Sequence, residues 1–193
     1  MISAGVLVFD GVEELDFVGP YEVLAAWHHL HPDEIDVFTV ALADGPVTCA
    51  KGLRVWPHHV WDGSRGLDLL VYPGGIGTRA QLGDEQIASW LRALRDDGAL
   101  LASVCTGALV FAVAGLLDGR PATTHWASTD LLASLGQGIE VRAERFVDAG
   151  DVITAAGVSA GIDLALHLVA RLHSPARAAE VRRYIHYDPE PPV

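Results

Sequence analysis

The 19 residues from Ala99 to Leu117, ALLASVCTGALVFAVAGLL, carry no charge, and how they are divided decides the fold. Their length alone would suit a membrane-spanning helix. Ser103, Cys105, Thr106, Gly107 and Gly115 interrupt the run, and Asp97 and Asp118 bound it. It therefore divides into a buried strand, Ala99 to Val104, a sharp turn at Cys105, and a buried helix, Thr106 to Leu116.

Working outward, the same alternation recurs. Toward the N-terminus, Gly5 to Phe9 reads as a buried strand closed by Asp10-Gly11. Pro20 stands where a helix would begin and run to about His29. Asp36 to Leu42 is the next strand. Val47 to Trp61 reads as short strands of a hairpin or sheet edge turning at Lys51-Gly52. Leu67 to Tyr72 is a strand ending at Pro73-Gly74-Gly75, and Glu85 to Arg95 is an amphipathic helix. Toward the C-terminus, Ala122-Thr123-Thr124 suggests a short strand, Ser128 to Leu135 a helix, Arg145 to Thr154 a hairpin around Ala149-Gly150, and Ile162 to Leu172 a helix. This order predicts an α/β domain with a mainly parallel sheet and helices on both faces. One domain is expected over residues 1–193, with the proline-rich stretch 187–193 laid over its surface as a tail.

Composition narrows the function. Half of the residues are hydrophobic, 20% are charged, and a chain of this length buries roughly 70% of its unfolded surface, so disorder is excluded as the main state. The 25 acidic and 13 basic residues give a net charge of −12, and Arg182-Arg183 is the longest basic run. A nucleic-acid or anionic-membrane partner is therefore not expected. Cys49 and Cys105 lie in unlike surroundings and form no CxxC spacing, and the histidines show no HxxxH or HExxH pattern, so no metal site is expected. The start of the chain lacks a basic segment followed by a long apolar run, so no signal peptide is expected and a reducing cytoplasm is the plain setting.

In open α/β sheets, ligands bind beyond the carboxyl ends of the strands. Ser103-Val104-Cys105-Thr106-Gly107-Ala108 has the pattern of a nucleophile elbow, a strand ending in a cysteine followed by small residues as a helix begins. At a helix start Cys105 would have a lowered thiol pKa; the alternative is an inert buried cysteine. Glu13, Glu14 and Asp16 follow the first strand. A carboxylate among Leu15, Phe17 and Val18 would be desolvated, hold a proton near neutral pH and donate it, or else simply cap the first helix. Gly74, Gly75 and Ile76 form a turn able to present N–H groups to developing negative charge, without the Lys-Ser/Thr of a phosphate loop. His125 follows the Ala122-Thr123-Thr124 strand and would either orient a partner or serve structurally.

These residues resemble the DJ-1/PfpI superfamily, and more narrowly its isonitrile hydratase branch and the sensor domains of AraC-type regulators. The resemblance is carried by Val8-Phe9-Asp10-Gly11, Leu15-Asp16, Tyr72-Pro73-Gly74-Gly75, Ser103 to Ala108, Ala114 to Arg120, Ala122 to Trp126, Gly157 to Asp163, and Tyr187 to Pro192. It implies a flavodoxin-like three-layer sandwich, a homodimer, a small-molecule substrate, and no metal or organic cofactor. It also implies Cys105 as nucleophile, Asp16 as the proton-relaying carboxyl partner, and the N–H groups of Gly75 and Thr106 as stabilisers of a charged adduct. In the hydratase branch a thiolate attacks the terminal isocyanide carbon and water releases an N-substituted formamide. Thr106 replaces the histidine that follows the cysteine in the superfamily's proteases, and no later His-x-Glu pair completes an amidotransferase triad. The regulators carry a helix-turn-helix region for which the 16 residues after Arg177 leave no room. The resemblance thus points to an enzyme, with a small-molecule or redox sensor as the alternative.

Overall fold

A computed structural model describes residues 1–62 and 66–189. The part of the tail from 190 to 193 lies outside the described residues. Seven strands form one sheet. They are β1 (Ile2–Leu7), β2 (Ile35–Ala41), β5 (His59–Val60), β6 (Leu69–Tyr72), β7 (Leu100–Val104), β10 (Phe146–Asp148) and β11 (Val152–Ala155). Their order across the sheet is β10-β11-β7-β6-β1-β2-β5. All neighbours run parallel except β10 and β11, which form the expected antiparallel hairpin around Gly150. Two small ribbons stand apart: β3 (Val47–Thr48) with β4 (Arg54–Val55), and β8 (Pro121–Ala122) with β9 (Glu140–Val141).

The period-2 alternation of the strands feeds two cores. Val6, Leu69, Val71, Ala102, Val104 and Ile153 face α1 (Glu14–Leu30), α6 (Ala160–Leu172) and α7 (Pro175–Tyr184), where they meet Leu24, Trp27, Leu164, Leu168 and Val181. Leu7, Leu70, Tyr72 and Leu101 face the opposite way. They pack on Leu91 of α3 (Glu85–Asp96), Leu109 and Phe111 of α4 (Gly107–Val113), and Leu132 of α5 (Thr129–Leu135). This is the three-layer, flavodoxin-like α/β arrangement expected. The uncharged run of residues 99–117 is β7, a turn and α4, and no helix among the described residues is long and apolar enough to cross a membrane.

Besides the unexpected short helix α2 (Thr78–Gln81), two longer helices depart from expectation. α1 begins at Glu14, six residues before Pro20, which sits inside the helix. Proline there removes one intrahelical donor, and its ring packs against α6 at Gly161, where a Cβ would come within 3.2 Å of the ring carbons. The early start carries Asp16 into the first helical turn, where it is fully buried. α7 was not anticipated. Its start is the pair Ser174-Pro175: Ser174 Oγ accepts the N–H of Arg177 at 3.2 Å, and proline occupies the first turn, where its missing N–H costs nothing.

Candidate active site

The site is built where β7 ends. The Cys105 N–H extends the parallel ladder by bonding to the Ala155 carbonyl at 2.9 Å, and the Cys105 carbonyl accepts the Thr124 hydroxyl at 2.8 Å. Held on both sides, Cys105 adopts φ +57°, a left-handed conformation that costs a non-glycine residue about 1–2 kcal/mol. This bend is the elbow: it turns the side chain out of the sheet and toward α1.

Asp16 meets it there. Oδ2 of Asp16 accepts the Gly74 N–H at 3.0 Å and Oδ1 accepts the Val158 N–H at 2.9 Å, which sets the carboxyl group beside the Cys105 thiol. Space for this contact comes from residues without side chains. A Cβ on Gly74 would fall 2.5 Å from the Thr106 nitrogen and 2.8 Å from Asp16 Oδ2, and one on Gly157 would fall 2.9 Å from the Cys105 Cβ.

Burial dominates the electrostatics. It raises the Asp16 pKa to about 6 against the lowering effect of the Val158 and Gly74 N–H groups, and the neighbouring Glu13 charge adds to the rise. Burial, then the Asp16 charge, raises the Cys105 thiol well above its ordinary value, although the neighbouring Thr106 N–H and hydroxyl oppose this. The expectation of a lowered thiol pKa is therefore corrected. α4 has only seven residues and its start is outweighed by desolvation, with Cys105 just 7% exposed. At neutral pH the pair rests as a thiol beside a carboxylate.

The turn at Gly74-Gly75-Ile76 is brought to the same place, but the Gly74 and Gly75 N–H groups are already engaged. Gly74 holds Asp16, while Gly75 donates to Thr106 Oγ1 at 3.0 Å. The Ile76 side chain is exposed beside them. Asp16 is a helical residue rather than an N-cap, and Glu13 pairs with Lys51. His125 accepts the Ala127 N–H on Nδ1 at 3.3 Å and packs against the exposed Trp126. Both rings line a cavity of about 340 Å³ with Thr123, Thr124, Gly157 and Val158, so His125 is a neighbour of the site and caps its own turn. Cys49 lies elsewhere, buried beside β3. Gly157 and Val158 carry no chemistry visible in sequence. Only the motif resemblance marked them, yet they close the site over Cys105 and Asp16. Among the described residues, no cluster of His, Cys, Asp or Glu could hold a metal ion.

Residues 2–171 match the DJ-1/PfpI family, and the chain belongs to it. It is 40% identical over 191 residues to the isonitrile hydratase of Pseudomonas putida, covering 99% of this chain and 81% of that protein. It is 33% identical over 175 residues to the HTH-type transcriptional regulator CdhR of Pseudomonas aeruginosa, covering 91% of this chain and 52% of the regulator, so it spans about half of that relative. Among solved structures, a ThiJ/PfpI family protein from Pseudomonas syringae superposes with a TM-score of 0.87 at 34% identity, covering 100% of this chain and 77% of the other. Drosophila melanogaster DJ-1beta superposes at 0.86 with 23% identity, covering 97% of this chain and 98% of that one, a likeness of fold.

Proposed function

We propose that this protein hydrates organic isocyanides to N-substituted formamides, with Cys105 as nucleophile and Asp16 as proton carrier. The observation that carries the reading is a buried carboxylate that two backbone N–H groups fix in place beside a buried thiol. In the first step the sulphur bonds to the terminal carbon of R–N≡C while its proton passes to Asp16. Asp16 then delivers that proton to the same carbon, giving the thioimidate R–N=CH–S–Cys105. Water adds to this carbon, a proton goes to nitrogen, and the C–S bond breaks to leave R–NH–CHO and the thiol. A carboxyl group poised near neutrality suits both directions of proton transfer. The Thr106 N–H and hydroxyl stabilise charge on sulphur, and Gly75 acts through Thr106.

The reading also takes the chain as one functional domain acting as a homodimer on a small molecule in the cytoplasm. The similarity to CdhR favours a second reading, a domain that binds a small molecule without turning it over. Redox sensing fits less well, because sensor cysteines are accessible and of low pKa, whereas Cys105 is buried and hard to ionise. The test is incubation of purified protein with varied isocyanides, with formamide measured directly and Cys105→Ala as control. Formamide production lost in the variant supports the hydratase. Tight binding of a small molecule with no product supports the sensor.

A further inference from the structure

The loop of residues 156–159, which brings the Val158 N–H to Asp16, joins β11 to α6. Val158 is left-handed within it. A β-branched residue keeps that conformation only where its surroundings over-determine it, so slack at either end of the loop would be taken up at Val158. One residue holds both ends.

Arg145, just before β10, accepts the Ala156 N–H on its carbonyl at 2.8 Å. Its guanidinium reaches the far end, where Nη2 donates to Ser159 Oγ at 3.4 Å, and Nε and Nη2 both meet Oδ2 of Asp163 in the first turn of α6. The other oxygen of Asp163, Oδ1, accepts the Tyr187 hydroxyl at 2.9 Å, which keeps the carboxylate turned toward the guanidinium from the segment that follows α7. A planar guanidinium that binds through two nitrogens fixes direction as well as distance. Arg145 is largely exposed and Asp163 partly so, and ion pairs of this kind add little to stability, so the contact sets geometry more than it holds the fold.

We propose that Arg145, seated by Asp163 and Tyr187, is a positioning residue for the reaction, fixing the span of the 156–159 loop and so keeping the Val158 N–H on the Asp16 carboxylate. The inference rests on the reading of Asp16 as proton carrier, but its test needs no isocyanide.

The experiment is an NMR titration of the Asp16 carboxyl group in isotope-labelled protein, with hydrogen exchange at the Val158 amide followed in the same samples. Arg145→Met and Asp163→Ala each remove the brace but change charge in opposite senses, and both leave Glu13, Lys51 and Cys105, the charged and titratable groups near Asp16, in place. Through charge alone, losing the cation would raise the Asp16 midpoint and losing the anion would lower it. With the brace gone the carboxylate loses the Val158 bond in both, so each variant, and the double one, should move the midpoint up from about 6 by about one unit, the weight of a hydrogen bond to a charged group. The Val158 amide should exchange about tenfold faster while Leu101 in β7 keeps its protection. The proposal fails if either single variant leaves or lowers the midpoint, if the double variant returns to the wild-type value, or if Val158 and Leu101 accelerate together, which would make Arg145 an ordinary stabilising residue. Absence of hydratase turnover in the wild type would overturn the proposed function and leave this result standing.

Discussion

The Val158 N–H lies 2.9 Å from Oδ1 of Asp16, joining residues 142 positions apart. Val158 holds φ +48°, a conformation a β-branched residue rarely adopts and that costs about 1–3 kcal/mol. The carboxylate and the strained loop restrain each other. Without this bond the loop would be free to relax and Asp16 to turn from the sulphur.

Gly157→Ala tests the loop. Its Cβ would press on Cys105 at a φ of +129°, so the loop must shift. Stability is expected to fall by about 1–3 kcal/mol in urea melts, and turnover by on the order of a hundredfold, the cost of displacing a site by about an ångström.

Asp16→Asn tests the proton carrier. The amide has one oxygen for the two N–H donors of Gly74 and Val158, and it cannot relay a proton. Turnover should drop by roughly a hundredfold to ten-thousandfold. Cys105→Ala should abolish turnover while the protein stays folded. An Asp16→Asn enzyme with near-normal kcat would remove the carboxyl from the mechanism.

The pH profile follows from the same pair. Asp16 must be ionised to accept the thiol proton, so kcat/KM should rise through about pH 6 and stay level across the range where a free thiol ionises. A rise that begins only above the ordinary thiol range would instead mark direct ionisation of the buried thiol. In stability the sign is opposite. The folded chain binds the Asp16 proton more tightly than the unfolded chain, so this group's contribution is fully present below the unfolded value of 3.8 and is lost as pH rises through about 6.

The two thiols should be distinguishable. Burial and neighbouring carboxylates raise both, Asp16 at Cys105 and Glu14 with Asp10 at Cys49, but only at Cys105 do the Thr106 donors oppose the rise, and there Asp16 is placed to take the thiol proton. Mild alkylation at pH 8 should label Cys105 first, with both slower than in urea. Labelling of Cys49 first would contradict this.

Far from the site, Glu34 joins α1 to α7. It accepts from Arg177 Nε at 3.0 Å and from the buried Trp27 Nε1 at 2.5 Å, and the Arg177 bonds, ahead of Trp27, lower its pKa to about 2. The stability it contributes is therefore full above its ordinary value of 4.5 and is lost as pH falls through about 2. Glu34→Gln should cost about 1–2 kcal/mol at pH 7, since solvent screens a partly exposed pair, and the gap from wild type should close near pH 2. A constant gap across this range would exclude the ionic contribution.

The chain announced its layers more plainly than its site. Residues 99–117 divide as strand, turn and helix because an apolar run broken by Cys105, Thr106 and Gly107 cannot be one helix and has the length of two buried elements. Pro20 reads as a helix start because proline at a first turn is the commoner arrangement, and only the absence of a side chain at Gly161 lets it sit deeper in α1. The raised thiol pKa is hidden from the sequence for a related reason. A helix start is visible in sequence, whereas the burial imposed on Cys105 by Val158, Gly157 and Asp16 depends on segments that meet only in three dimensions.

In the unfolded chain Cys105 would ionise like any exposed thiol, near pH 8.5. Folding makes it a weaker acid, the reverse of what is achieved for most nucleophilic cysteines. A passing peroxide or disulfide therefore meets almost no thiolate able to attack it, and even a small electrophile must first reach a sulphur with little open surface. Reactivity is released only when a compound brings its carbon to the sulphur beside Asp16, so the native state guards this cysteine from oxidation more effectively than disorder would.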